Sequence, residues 1–218
     1  MNNDFVAPPA LNHLIVFARL PEMGRVKTRL AADIGAELAL SIYRQLLAHT
    51  RAVVAPLPVH KTVWLAEAGP AADLTDEWPG YEQLAQPPGD LGEKMQAAFA
   101  HDFDRQAAAV VIIGTDCPGL TTAHLTNAFE ALRTHDVVLG PATDGGYYLL
   151  GMKQLWPSLF TGKSWSTDTV CSATVADAQQ LGLRLQLLSE LSDIDTGADL
   201  RAWETSTGKT FGQGLRVL

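Results

Sequence analysis

Short apolar runs alternate along this chain with longer stretches in which apolar residues recur at helical spacing. Residues 14–18, 62–66, 81–86, 110–113, 136–141, 147–152 and 183–188 read as strands. Several, such as Leu14-Ile15-Val16-Phe17-Ala18 and Val110-Val111-Ile112-Ile113, are apolar at every position rather than at every second one. A strand of that kind is buried on both faces, as in a parallel sheet covered by helices. Between the strands, residues 36–54 carry Leu38, Ile42 and Leu46 on one helical face, and Pro56 and Pro58 close that helix. Further helices are predicted over 93–103, over 121–133 with Thr121 or Thr122 as N-cap, over 166–181, and over 198–204. The connections are a loop at 19–29, a loop with one helical turn at 69–80, an irregular turn at 87–92 and a turn at 143–146. Strand and helix alternate throughout, which predicts an α/β fold with a mostly parallel sheet and helices on both faces. No repeat or linker divides the chain, so residues 1–218 are read as one domain, with 1–12 and 206–218 loosely ordered.

Composition narrows the functional classes. The formal net charge of −8 argues against a nucleic-acid partner. It leaves room for a nucleotide, which a few local cations and a metal can hold. Cys117 and Cys171 stand far apart without a CxxC, which fits a reducing compartment. No basic start followed by an apolar run marks a signal peptide, and no run is long enough for a membrane span. A soluble, cytoplasmic protein without membrane insertion is the expectation. The histidines form no HxxxH and no Cys/His cluster, so zinc is not expected, and GxSxG is absent.

The chemistry-bearing residues gather after predicted strands, where open α/β sheets bind ligands. After the first strand, Arg19, Gly24, Arg25, Lys27 and Arg29 lie in a loop that leads into a helix, the setting of an anion site; the alternative is a solvated basic loop. After 110–113 come Gly114, Thr115 and Asp116, and a carboxylate delivered there suits a divalent metal; an Asx cap is the alternative. Asp144, Gly145 and Gly146 allow close backbone approach of a ligand, but also suit a hairpin turn. Asp193 and Asp195 could share Mg²⁺ or Mn²⁺ with Asp116, or sit at a helix start. Residues 165–169 suit a ligand loop or a capped helix start, and the cap is the favoured reading; Cys117 is read as a small buried hydrophobe rather than a nucleophile.

Four ordered stretches resemble the bacterial DUF2064 family, which is described as a GT-A-type glycosyltransferase or nucleotide-diphospho-sugar transferase. They are Phe17-Ala18-Arg19-Leu20-Pro21 with Gly24-Arg25-Val26-Lys27-Thr28-Arg29-Leu30-Ala31, then Gly89-Asp90-Leu91-Gly92-Glu93-Lys94-Met95. The third and fourth are Gly114-Thr115-Asp116-Cys117-Pro118 and Leu139-Gly140-Pro141-Ala142-Thr143-Asp144-Gly145-Gly146-Tyr147-Tyr148-Leu149. The resemblance implies a three-layer, Rossmann-like GT-A fold acting on a nucleotide or nucleotide-sugar donor and a small-molecule acceptor. It implies phosphate contacts from Lys27, Arg29 and backbone groups, and a base or ribose wall from the stretch holding Asp90, Leu91 and Gly92. Thr115, Gly145 and Gly146 join the nucleotide set, Asp144 becomes an acceptor-side base, and Asp116 a metal ligand. One departure is plain: Asp116-Cys117-Pro118 stands where many such transferases have Asp-x-Asp. Val26-Lys27-Thr28-Arg29-Leu30 is also similar to phospholactate guanylyltransferases. Asp193-Ile194-Asp195-Thr196 is similar to the closing motif of nucleotidylyltransferases, which maps the metal to Asp116 and Asp195. Glycosyl transfer, nucleotidylyl transfer and non-catalytic nucleotide binding are therefore the readings carried forward.

Overall fold

The structure, a computed structural model, describes residues 11–66 and 77–211. In chain order the elements are β1 (His13–Arg19), α1 (Thr28–Ile34), α2 (Ala36–Val54), β2 (His60–Ala66), β3 (Glu82–Ala85), α3 (Leu91–Asp104) and β4 (Val110–Ile113). There follow α4 (Thr122–Ala131), β5 (Val137–Pro141), β6 (Tyr147–Met152), α5 (Val170–Gln180), β7 (Leu185–Leu187) and α6 (Gly197–Thr207). The strands form one seven-stranded sheet in the order β3-β2-β1-β4-β6-β5-β7.

Both faces of the sheet are buried, as the unbroken apolar runs require. In β1, Leu14 and Val16 point to a core shared with Leu47 and Val54 of α2 and with Leu125 and Phe129 of α4. Ile15 points the other way, towards Met95 and Phe99 of α3 and Ala178 of α5. In β4 the same division sends Val111 and Ile113 to the first core and Val110 and Ile112 to the second. Each such fully buried side chain contributes about 1.5–3 kcal/mol. A third, smaller cluster joins Leu30 of α1 and Ile42 and Leu46 of α2 to Leu200 and Trp203 of α6.

The sheet is not wholly parallel. β6 runs antiparallel to both β4 and β5, whereas the other pairings are parallel. The cause is the tight turn between β5 and β6, which is too short for the crossover a parallel neighbour needs. The inversion brings the start of β6, and the turn before it, to the edge where the parallel strands end.

Several boundaries differ from the sequence-based expectation. α1 occupies part of the predicted loop at 19–29; seven residues burying only Leu30 give too weak a local signal, and the helix depends on packing against α2. α3 begins at Leu91 rather than 93, because Asp90 and Glu93 form a reciprocal capping box. α4 ends at Ala131 rather than 133, and Thr121 is its N-cap. α5 begins at Val170 rather than 166, with Ser166 at a φ of +62° outside the helix. α6 runs to Thr207 rather than 204, and Phe211 packs on Trp203 with ring centroids 4.7 Å apart. The carbonyls of Leu11 and Asn12 accept from the Ala108 and His60 amides. The expectations for 1–10, for 67–76 within the loop at 69–80, and for 212–218 lie outside the described residues. Among the described residues no helix is long and apolar enough to cross a membrane.

The core holds a neutral histidine. His49 Nε2–H donates to the Leu120 carbonyl at 2.9 Å, and its Nδ1 is buried without a partner. Burial holds its pKa below the ordinary value, with the Leu120 carbonyl opposing only in part. The unfolded chain takes up a proton near about pH 6.5 that the native state resists, so this group's contribution falls as pH drops through that value. The destabilisation caused by His49→Gln should therefore be smaller at about pH 5.5 than at about pH 7.5. Urea midpoints measure it, and an equal gap at both pH values contradicts a neutral buried imidazole.

Candidate functional site

The ends of β1, β2 and β4, the start of β6 and the segment after β7 surround a cleft of about 830 Å³. Lys27 reaches into it from the loop after β1. This residue precedes α1 in the left-handed region (φ 48°, ψ 46°) and makes no side-chain cap. For a residue with a Cβ that conformation costs about 1–2 kcal/mol, so the contacts of the side chain must sustain it. They are short. Lys27 Nζ lies 2.7 Å from Asp116 Oδ1 and 2.9 Å from Asp195 Oδ1, and its side chain is 4% exposed. Arg29 closes the cluster, donating to Asp195 Oδ2 at 2.6 Å.

Burial pulls the Lys27 pKa down, but the charges of Asp116 and Asp195 outweigh it and the net shift is upward. Burial likewise raises Asp195, yet Lys27 and Arg29 outweigh it and leave that carboxyl below its ordinary value. Both groups are therefore ionised at neutral pH.

Backbone bonds fix this geometry. The Ile194 amide donates to the Asp116 carbonyl at 3.0 Å, tying the Asp193-Ile194-Asp195 segment to the end of β4. Thr196, not Asp195, caps α6, forming a capping box with Asp199. The carboxylate of Asp195 is thus left for the cleft, and that of Asp116 is left free because Thr121 caps α4. Asp33 of α1 accepts from the Gly197 amide at 2.7 Å, which locks α1 to the start of α6. Tyr43 pins the end of β1, accepting from the Arg19 amide at 2.8 Å and donating to its carbonyl at 3.0 Å. Burial, and after it the charge of Asp116, pushes the Tyr43 phenol up to about 12.

The opposite wall is built by the β5–β6 turn and residues 165–168. Asp144 Oδ1 accepts from the Gly146 amide at 2.9 Å, an Asx turn that leaves the carboxylate exposed at the cleft. Gly145 has a φ of +85°, and a Cβ there would lie 2.0 Å from the Asp168 carbonyl oxygen. Gly92 is similarly constrained: its absent Cβ makes room for the Trp165 ring. Residues 165–168 therefore line the cleft and do not form the helix start expected from the sequence.

Of the residues singled out in the sequence, Arg19, Arg25, Lys27, Arg29, Leu91, Thr115, Asp116, Asp144, Gly146 and Asp195 line the cleft. Gly24, Asp90, Gly92 and Gly145 do not. Asp90 spends its carboxylate on the Glu93 amide, and Gly92 and Gly145 make room for Trp165 and Asp168 of the wall. Cys117 is 4% exposed and its thiol pKa is raised by burial, which fits the small-hydrophobe reading. Asp193, weighed in the sequence as a possible co-ligand of Asp116, and Lys94, within the stretch expected to line the base or ribose, also line the cleft, whereas Tyr43 and Gln86 were not expected there. Tyr43 and Gln86 sit within a helix and after a strand with no local pattern that marks them for a cleft.

Asp193 differs sharply from its neighbour. Its Oδ1 is buried without a hydrogen-bond partner. Burial first, then the charge of Asp116, raises its pKa to about 7. The charge of Lys27 opposes this shift but does not overcome it.

The family model of DUF2064, described as an uncharacterized protein conserved in bacteria, matches residues 48–167. A candidate nucleotide-diphospho-sugar transferase from Desulfovibrio desulfuricans G20 is 30% identical, with 94% of this chain and 91% of that chain covered and a TM-score of 0.86. Rv0371c from Mycobacterium tuberculosis H37Rv, in complex with manganese, shares the fold at 15% identity and a TM-score of 0.59, with 91% and 100% covered. CMP:2-keto-3-deoxy-manno-octonic acid synthetase complexed with CTP does so at 11% identity and 0.56, with 91% and 99% covered. No curated protein matches the sequence.

The strain on Asp193 has a measurable consequence. Between about pH 4 and pH 7 the folded chain retains a proton that the unfolded chain has lost, so this carboxyl's contribution falls as pH rises through that window. Asp193→Asn removes the penalty. Its melting temperature should exceed that of the parent protein by more at about pH 8 than at about pH 5. A gain independent of pH contradicts the assignment.

Proposed function

The chain belongs to the DUF2064 family, and from that premise we propose that it is a transferase that uses a nucleotide-activated donor, nominally a glycosyltransferase acting on a nucleoside-diphosphate sugar. One observation carries the reading. Lys27 and Arg29 converge with Asp116 and Asp195 in an open cleft at the carboxyl ends of the parallel strands. That edge is where α/β sheets bind nucleotides.

The expectation of Mg²⁺ or Mn²⁺ fits the donor set. Asp116 and Asp195 each turn one oxygen to a single point, which the ammonium of Lys27 marks. Asp193 adds a buried, unpartnered oxygen to the same wall. Carboxylates are the oxygen ligands hard divalent ions prefer. Asp116 and Asp195 would hold the ion, which when bound supplies positive charge to the phosphate oxygens of the departing group.

The chain's own groups do the rest. Lys27 and Arg29, with Arg19 and Arg25 at the same end, bind and neutralise the diphosphate as it leaves. Thr115 and Gly146 border the nucleotide at the strand ends. Asp144, held by its Asx turn on the opposite wall, accepts the acceptor's proton as it attacks. Leu91 and Trp165 offer an apolar face to a ring.

A second reading, nucleotidylyl transfer to a phosphorylated acceptor with release of pyrophosphate, draws on a specific feature. The chain has no acid at position 118, and the carboxylate that joins Asp116 comes from after β7. The basic loop then serves the pyrophosphate, and positioning with charge suffices.

Thermal shift against nucleoside triphosphates and nucleoside-diphosphate sugars, with Mg²⁺ or Mn²⁺ and without, separates these readings, because bound ligand raises the melting temperature in proportion to ln(1 + [L]/Kd). Preference for a sugar nucleotide supports glycosyl transfer, and preference for a triphosphate with pyrophosphate release supports the second reading. No shift from any nucleotide contradicts both. Lys27→Ala should weaken nucleoside diphosphates by roughly tenfold or more while leaving nucleosides unchanged. Isothermal titration measures this, and an equal loss for both ligands removes Lys27 from the phosphate site.

A further inference from the structure

We infer that Lys27 is a resident counter-ion which holds the cation position between Asp116 and Asp195 in the free protein, so that a divalent ion enters only when nucleotide phosphate draws Lys27 away. This rests on the proposed nucleotide site and goes beyond it by fixing the order and interdependence of binding.

The first argument is steric. Lys27 Nζ sits 2.7 Å and 2.9 Å from the two carboxylate oxygens that a metal would use. A magnesium ion needs oxygen ligands at about 2.0–2.1 Å, so it cannot share that space with an ammonium group. The side chain is 4% exposed, so its nitrogen is enclosed rather than resting at the rim. Among the described residues, no group of three or more His, Cys, Asp or Glu side chains is arranged to hold a metal ion. The acids needed are present, and Lys27 stands among them.

The second argument is electrostatic. Two carboxylates, Asp116 and Asp195, face two cations, Lys27 and Arg29, so the charges of these four paired groups balance as they stand. A balanced set of charges offers a dication little attraction. Phosphate changes the balance, because each of its oxygens competes for the same ammonium and guanidinium. Once Lys27 turns to phosphate, Asp116 and Asp195 are left with an excess of negative charge that a divalent ion satisfies.

The third argument is conformational. Lys27 lies in a left-handed backbone conformation with no side-chain cap, so its ion pairs hold it there. Its flexible stem lets the ammonium move without the helix behind it, which Asp33 keeps locked to the start of α6. Arg29 could not take this role, since its side chain is 72% exposed at the rim.

The test is Mn²⁺ binding without nucleotide, followed by loss of the free-ion electron paramagnetic resonance signal. The parent protein should show only weak uptake, with a Kd of roughly millimolar or above. Lys27→Met should bind Mn²⁺ about tenfold tighter or more, and Asp116→Asn in the Lys27→Met background should abolish the gain. Lys27→Gln serves the same purpose if Lys27→Met does not fold. The inference is overturned if the parent protein alone binds Mn²⁺ tightly at a site lost in Asp116→Asn, and in that case the metal assignment stands. It is also overturned if removing the ammonium leaves affinity unchanged, or if the gain survives Asp116→Asn. Absence of Mn²⁺ uptake by every variant, with CTP or UDP present as well as without, removes the metal assignment itself.

Discussion

The ammonium of Lys27 joins three parts of the chain that lie far apart in sequence: the loop after β1, the end of β4 and the segment before α6. Its two ion pairs hold a carboxylate from each of the later segments at one point, and Arg29 secures the second of them. Around this contact stand the Ile194 amide on the Asp116 carbonyl and the Asp33 carboxylate on the Gly197 amide. Removing the cation would leave two carboxylates facing one another across a few ångströms, which is why the backbone at Lys27 tolerates an unfavourable conformation.

What brings these segments together is a sheet buried on both faces. Alternate side chains of β1 and β4 feed two separate cores, so neither strand can slip by one residue without exchanging them. Rigid strands then deliver Arg19 and Asp116 to one edge with little freedom. The inverted β6 extends that edge, since it sends Asp144 and Gly146 back to the same side as the strand ends. A parallel strand in that place would have put the turn on the far side of the molecule.

The cleft that results is costly to maintain. Asp193 has a buried, unpartnered oxygen and a raised pKa beside another carboxylate, and Lys27 and Ser166 occupy backbone regions that side chains avoid. Such features concentrate where chemistry or binding requires them. The helices α3, α4 and α6, by contrast, each begin with a reciprocal capping box.

The sequence by itself determined the strands, most of the helices and the α/β class, because unbroken apolar runs and helical spacing are local properties that burial on two faces imposes directly. It also carried Lys27, Arg29, Asp116, Asp144 and Asp195, since polar residues that follow a buried strand must emerge at its end. It could not reveal α1 or the true start of α5, where local preference is weak and packing or strain decides. Nor could it separate Asp193 from Asp195. The two acids differ by one intervening residue in the chain, but only the folded molecule sets one against Lys27 and Arg29 and leaves the other with a buried, unpartnered oxygen. The same holds for Lys27 itself: the sequence marks it as a cation in a basic loop, and the tertiary structure alone places it between two carboxylates drawn from distant parts of the chain, because ion pairing of that kind depends on distances that no local pattern encodes.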